Sequence, residues 1–61
     1  MSGRMIRFAA CRGCGAVFAA AVVDAMDTET SLQFEAYRRE GHTVDDAKGQ
    51  VTLGTCRCAD R

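Results

Sequence analysis

Ile6, Phe8 and Ala10 alternate with Met5, Arg7 and Ala9, the period of two that a half-buried strand shows. Cys11-Arg12-Gly13-Cys14-Gly15 interrupts that alternation with turn residues, and an apolar run over 16–23 follows, ending in Val22-Val23. Its β-branched and aromatic members predict a second strand buried on both faces, although its alanines prefer helix. The two runs therefore predict a hairpin whose turn is the first cysteine pair.

Asp24-Ala25-Met26-Asp27 breaks the run, and the pattern then predicts a helix over 28–40. Asp27 or Thr28 can cap its N-terminus, and Glu29 stands in the first turn, where the helix dipole favours an acid. Arg38 and Arg39 fall in the last turn, where cations are favoured, with Glu35 four residues before Arg39. Gly41 occupies the position at which a left-handed residue commonly ends a helix. Helical spacing puts Thr30, Phe34, Tyr37 and Gly41 on one side, and Leu32 and Ala36 on another. Beyond it, His42-Thr43-Val44 reads as extended, Asp45-Asp46 as the start of a turn, and Lys48-Gly49 as its end. Residues 50–53 read as a last strand with Val51 and Leu53 on one face, and Gly54-Thr55 leads into Cys56-Arg57-Cys58.

The length changes how these elements are weighed. A chain of 61 residues permits one small domain over 1–61, which buries only about 60% of the surface its unfolded form exposes. A core of that size is marginal without a staple. The four cysteines supply one, either as two disulfides in an oxidising compartment or as a metal site in a reducing one. Arg4 and Arg7 precede no apolar stretch of the about 7–15 residues that a secretory signal carries. The run over 16–23 is far shorter than the roughly 20 residues of a membrane span. The chain therefore reads as cytoplasmic, which favours metal.

Cys11-x-x-Cys14 followed by Gly15 has the spacing of a zinc knuckle, in which a tight turn aims two sulfurs at one point. Cys56-x-Cys58 can do the same on an extended segment, where residues i and i+2 face one side. Together Cys11, Cys14, Cys56 and Cys58 make a four-sulfur tetrahedral set suited to zinc. Iron in the same cage, two disulfides and a redox-active Cys11–Cys14 pair are the competing readings. His42, the one histidine, could replace a cysteine as ligand, but a position just past a helix end suits a cap contact. A catalytic zinc keeps one position open and needs a base nearby. No His-x-Glu or comparable motif is present, so the chain reads as a non-enzyme.

Net charge is zero but unevenly spread. Residues 1–14 carry three arginines and no acid, whereas 24–46 carry seven acids against two arginines, a net −5. Such a balance does not describe a general nucleic-acid binder, which needs several uncompensated basic contacts.

Cys11-x-x-Cys14-Gly15, an apolar strand with Phe18, an acidic helix ending Tyr37-Arg38-Arg39-Glu40-Gly41-His42, and a terminal Cys56-x-Cys58 together resemble small zinc-ribbon-like proteins of bacteriophages and bacterial mobile elements. The resemblance implies a zinc ribbon with one helix between two knuckles; a second pair with one intervening residue departs from the standard ribbon. The combined reading is an α+β, zinc-stabilised mini-domain: a hairpin, one helix and a C-terminal strand. Its expected function is that of a protein-binding adaptor or inhibitor, phage-encoded and acting on a larger host assembly. Glu29, Glu35 and Asp46 are the candidate partner-binding residues, since an acidic surface speeds encounter with a basic partner. The alternatives are nucleic-acid binding through Arg4, Arg7, Arg12 and Arg57, and a thiol redox or metal-sensing role.

Overall fold

The computed structural model describes residues 4–58 as a small α+β domain, a three-stranded antiparallel sheet with one helix. In chain order the elements are β1 (Met5–Ala10), β2 (Val17–Val23), α1 (Thr28–Arg39) and β3 (Thr43–Ala47). The sheet order is β2-β1-β3. Among the described residues, no helix is long and apolar enough to cross a membrane.

The hairpin forms as the alternation predicts, but β2 is not buried on both faces as expected, since Ala20 and Val22 are exposed. Met5 pairs with Val23 and Ala9 with Ala19, but Ala10 pairs with Val17, so Phe18 is an extra residue in β2. This bulge sets Phe18 against the rings of Tyr37 at 5.2 Å and His42 at 4.7 Å, both edge-on. The alanines of 19–21 take the strand conformation despite their helical preference, because pairing along β1 outweighs intrinsic propensity.

Helix α1 covers the sheet face that carries Met5, Arg7 and Val23, which line a cleft with Ser31. That face, not the one bearing Ile6 and Phe8, holds the deepest residue. Ala9 is wholly buried, whereas Ile6 and Phe8 are only half-buried. The buried core is Ala9, Ala10, Val23 and Phe34. Three of these are small, so the large Phe34 is the main apolar contribution of the helix, while Leu32 stays exposed. Apolar burial on this scale supports only a marginal fold, and an additional tie between the chain's two ends is expected on physical grounds.

The helix termini follow their sequence signals. Asp27 accepts from the Thr30 amide at 3.0 Å and from the Thr30 hydroxyl at 2.9 Å. At the other end Gly41, with φ +99°, donates to the Arg38 carbonyl at 3.0 Å, and His42 donates to the Tyr37 carbonyl at 3.1 Å. Together these two bonds form a Schellman motif.

Two expectations change after the helix. Asp45 and Asp46 belong to strand β3 instead of opening a turn, because Asp46 lies opposite Arg7. The Arg7 Nε donates to Asp46 Oδ1 at 2.9 Å, and such a cross-strand pair offsets the poor strand preference of aspartate. Residues 50–53 form no strand. Their segment runs back beside 20–22 across an open groove of about 430 Å³, and only Gly54 bonds to β2, donating to the Val17 carbonyl at 2.8 Å. The third strand is therefore β3, at the edge opposite β2, and the C-terminal segment must be fixed by something other than a hydrogen-bonded ladder.

Candidate metal centre

The hairpin turn and the C-terminal segment meet at one end of the sheet. Cys11 follows β1, and the turn closes with Gly15 donating to the Cys11 carbonyl at 2.8 Å and Cys11 donating to the Ala16 carbonyl at 2.9 Å. Gly15 has φ +79°, a left-handed conformation that glycine adopts without a steric penalty. Just beyond Gly54's bond to Val17, Cys56 and Cys58 reach this turn.

All four sulfurs lie within 4.8 Å of one another. Cys11 Sγ stands 3.5 Å from Cys58 Sγ and 3.3 Å from Cys56 Sγ, and Cys14 Sγ stands 3.7 Å from Cys56 Sγ. A disulfide needs about 2.05 Å, so these are contacts between unbonded sulfurs. Zinc with four sulfurs at about 2.3 Å has tetrahedral edges of about 3.8 Å, and the donor set fits that figure with small adjustments. Cys11, Cys14, Cys56 and Cys58 therefore form a candidate four-thiolate centre, with Cys11 half-buried and the other three exposed.

Backbone amides and the sulfurs themselves set the charge of the site. Amides of Cys14 and Gly13 donate to the Cys11 sulfur, and its thiol is held below the ordinary value. Amides of Ala16 and then Arg57 bring the Cys14 thiol down to about 6. The Cys58 thiol is pushed up to about 12, chiefly by Cys11 and Cys14, whose charge opposes a further thiolate so close. At Cys56 the Cys58 amide favours ionisation, but Cys11 and Cys14 outweigh it and the net shift is upward. Sulfurs this close oppose one another's ionisation, and a bound cation would relieve that repulsion.

Two features at the site lie beyond the cysteine spacing. Gly13 faces Cys58 so closely that a Cβ at position 13 would sit 2.6 Å from the Cys58 sulfur. Arg57 contributes through its amide, which reaches the Cys14 sulfur. A glycine between the cysteines of a tight turn is the one sequence signal for the former; nothing in the sequence signals the latter.

The remaining candidates are placed as follows. His42 is not among the converging ligands, and its ring lies on Phe18 beside the helix end. Arg12 is exposed, with its guanidinium beside Gly41, 3.3 Å from where a Cβ would be. Arg7 is paired with Asp46, so one of the four arginines considered for nucleic acid is engaged within the domain. Among the proposed partner-binding acids, Glu35 accepts from Arg38 at 2.9 Å and Asp46 accepts from Arg7. Glu29 makes no ion pair among the described residues.

No protein-family model, curated protein or solved structure matches this chain. The site is therefore read from its own geometry.

Proposed function

We propose that the chain is a small protein-binding module whose fold is held by one zinc ion on Cys11, Cys14, Cys56 and Cys58. The observation that carries this reading is the convergence of four sulfurs, two from each end of the chain, within 4.8 Å. Four protein thiolates complete a tetrahedron and leave no position for substrate, the arrangement of a structural site as opposed to a catalytic one. Zinc is the favoured metal for such a closed, soft donor set.

Protein binding is supported by the charge distribution. Asp24, Glu29 and Asp45 are exposed and stand apart from the cysteine turn, whereas Glu40 borders it, and the three suit a basic partner surface. The likeness to phage-borne zinc-ribbon-like proteins adds the expectation of an adaptor or inhibitor of a host assembly. Nucleic-acid binding is the weaker reading, since Arg7 is engaged internally and the chain's net charge is zero.

The test has two parts. Protein purified without added metal should contain about one zinc per chain. Immobilised chain should then retain a partner from host lysate after nuclease treatment, and Glu29→Lys should weaken that retention while leaving the fold intact. Retention that disappears with nuclease would favour the nucleic-acid reading instead.

A further inference from the structure

We propose that the four-cysteine centre is also a redox switch, in which hydrogen peroxide replaces the zinc tie with disulfides between the chain's two ends and releases the metal from a domain that stays folded. The inference rests on the zinc reading above and concerns what becomes of that site under oxidation.

Access comes first. Three of the four sulfurs belong to exposed residues and the fourth to a half-buried one, so a small oxidant reaches the centre without local unfolding. Exposure together with thiolate character determines which cysteines oxidise.

Once the metal is displaced, proximity favours one class of product. The three short sulfur contacts, Cys11–Cys58, Cys14–Cys56 and Cys11–Cys56, all join the hairpin turn to the C-terminal segment. Among the described residues, no contact of this kind joins Cys11 to Cys14. With Cys11 against Cys58 at 3.5 Å and Cys14 against Cys56 at 3.7 Å, all four sulfurs are matched by contacts already made. Each sulfur need move by less than 2 Å or so to reach bonding distance.

The chemistry balances with peroxide as the oxidant. A thiolate attacks peroxide, the O–O bond breaks, and a sulfenic acid and hydroxide form. A second thiolate then attacks that sulfur, forming the S–S bond and expelling the second hydroxide. Two peroxides accept four electrons from four thiolates and, with four protons, leave as four waters. The zinc, deprived of its ligands, departs as the aqueous dication.

The consequence follows from loop closure. A Cys11–Cys58 bond closes a loop spanning 47 positions and a Cys14–Cys56 bond one spanning 42, the same loops that the ion closes. Oxidised, metal-free chain therefore keeps its two ends joined. Reduced, metal-free chain does not.

The experiment treats zinc-loaded full chain with two equivalents of peroxide. A chromophoric chelator should then take up one zinc per chain, the denatured mass should stand about 4 Da below that of metal-free reduced chain through loss of four hydrogens, and the far-UV circular dichroism should be retained. The same chain treated with chelator and reductant should lose that signal. Trypsin separates the cysteines completely, because Arg12 and Arg57 divide the two pairs: Cys11 falls in peptide 8–12, Cys14 in 13–38, Cys56 in 49–57 and Cys58 in 58–61. Linked peptides should join one of the first two to one of the last two. A link between 8–12 and 13–38, oxidation to sulfinic acid, or loss of the dichroism with the zinc would overturn the switch. Chain that carries no zinc before peroxide is added overturns the zinc reading itself, which separates the two failures.

Discussion

Replacing Gly13 by alanine adds one methyl group at the most crowded point of the centre. Its carbon would stand 2.6 Å from the Cys58 sulfur, against a favourable carbon contact of about 3.5–4.0 Å. The sulfur or the turn must therefore yield by about 1 Å, several times the ±0.2 Å or so that metal–ligand distances tolerate. Overpacking of this kind costs about 1–3 kcal/mol, which corresponds to a loss of about 5- to 150-fold in zinc affinity. Two other glycines separate this contact from general effects. At Gly15 a Cβ meets nothing within 4 Å, but φ is +79°, so alanine there brings backbone strain of about 1–2 kcal/mol without touching a ligand. At Gly54 a Cβ would rest 3.8 Å from the Ala16 Cβ, an ordinary contact. Competition for zinc against a chromophoric chelator should rank Gly54→Ala near the parent and Gly13→Ala well below it. Equal affinities for Gly13→Ala and Gly54→Ala would refute the close approach of Cys58 to the turn.

Further outcomes follow from the same geometry. Cys14→Ser should abolish the dispersed NMR spectrum because it opens the loop that the metal closes, whereas His42→Ala should keep the fold, as its half-exposed ring packs edge-on against Phe18 and Tyr37 and is not among the clustered cysteines; a folded serine variant in excess chelator would contradict this. Zinc binding near pH 7 should release at least two protons, since Cys58 is pushed up to about 12 and Cys56 is also raised. Apparent affinity should accordingly fall as pH falls, and calorimetry in buffers of different ionisation enthalpy would count the protons. Asp46, whose carboxyl Arg7 holds below its usual value, contributes stability that is present above the ordinary aspartate range and lost as pH drops through its folded value. The pair is exposed enough that Arg7→Ala should cost under about 1 kcal/mol by denaturant titration.

The hairpin, the helix and the grouping of the four cysteines were legible in the sequence because each rests on local signals. Alternation marked β1, Asp27 and Gly41 bracketed α1, and cysteine spacing marked both halves of the centre. What the sequence concealed depends on which strand lies next to which. Asp45 and Asp46 look like turn residues until Arg7 is seen across from Asp46. Val51 and Leu53 look like a strand until the edge of β2 is found to bond that segment only at Gly54. The covered face of β1 was also hidden, since Ile6, Phe8 and Ala10 carry more apolar volume than Arg7 and Ala9. The helix nevertheless chose the side where small alanines let it approach. Acidity alone marked Glu35 and Asp46 as partner-binding candidates, but the ion pairs they make within the domain leave Glu29 the cleaner position to test.

The central claim is that one metal ion joins the two ends of this chain through four thiolates. Native mass spectrometry of protein expressed without added metal, followed by denaturation without reductant, tests it most directly. The native species should be heavier than the chain by one zinc ion, with two to four protons displaced, and the denatured chain should show four free thiols. A native mass equal to that of the bare chain, with two disulfides already formed, would contradict the account.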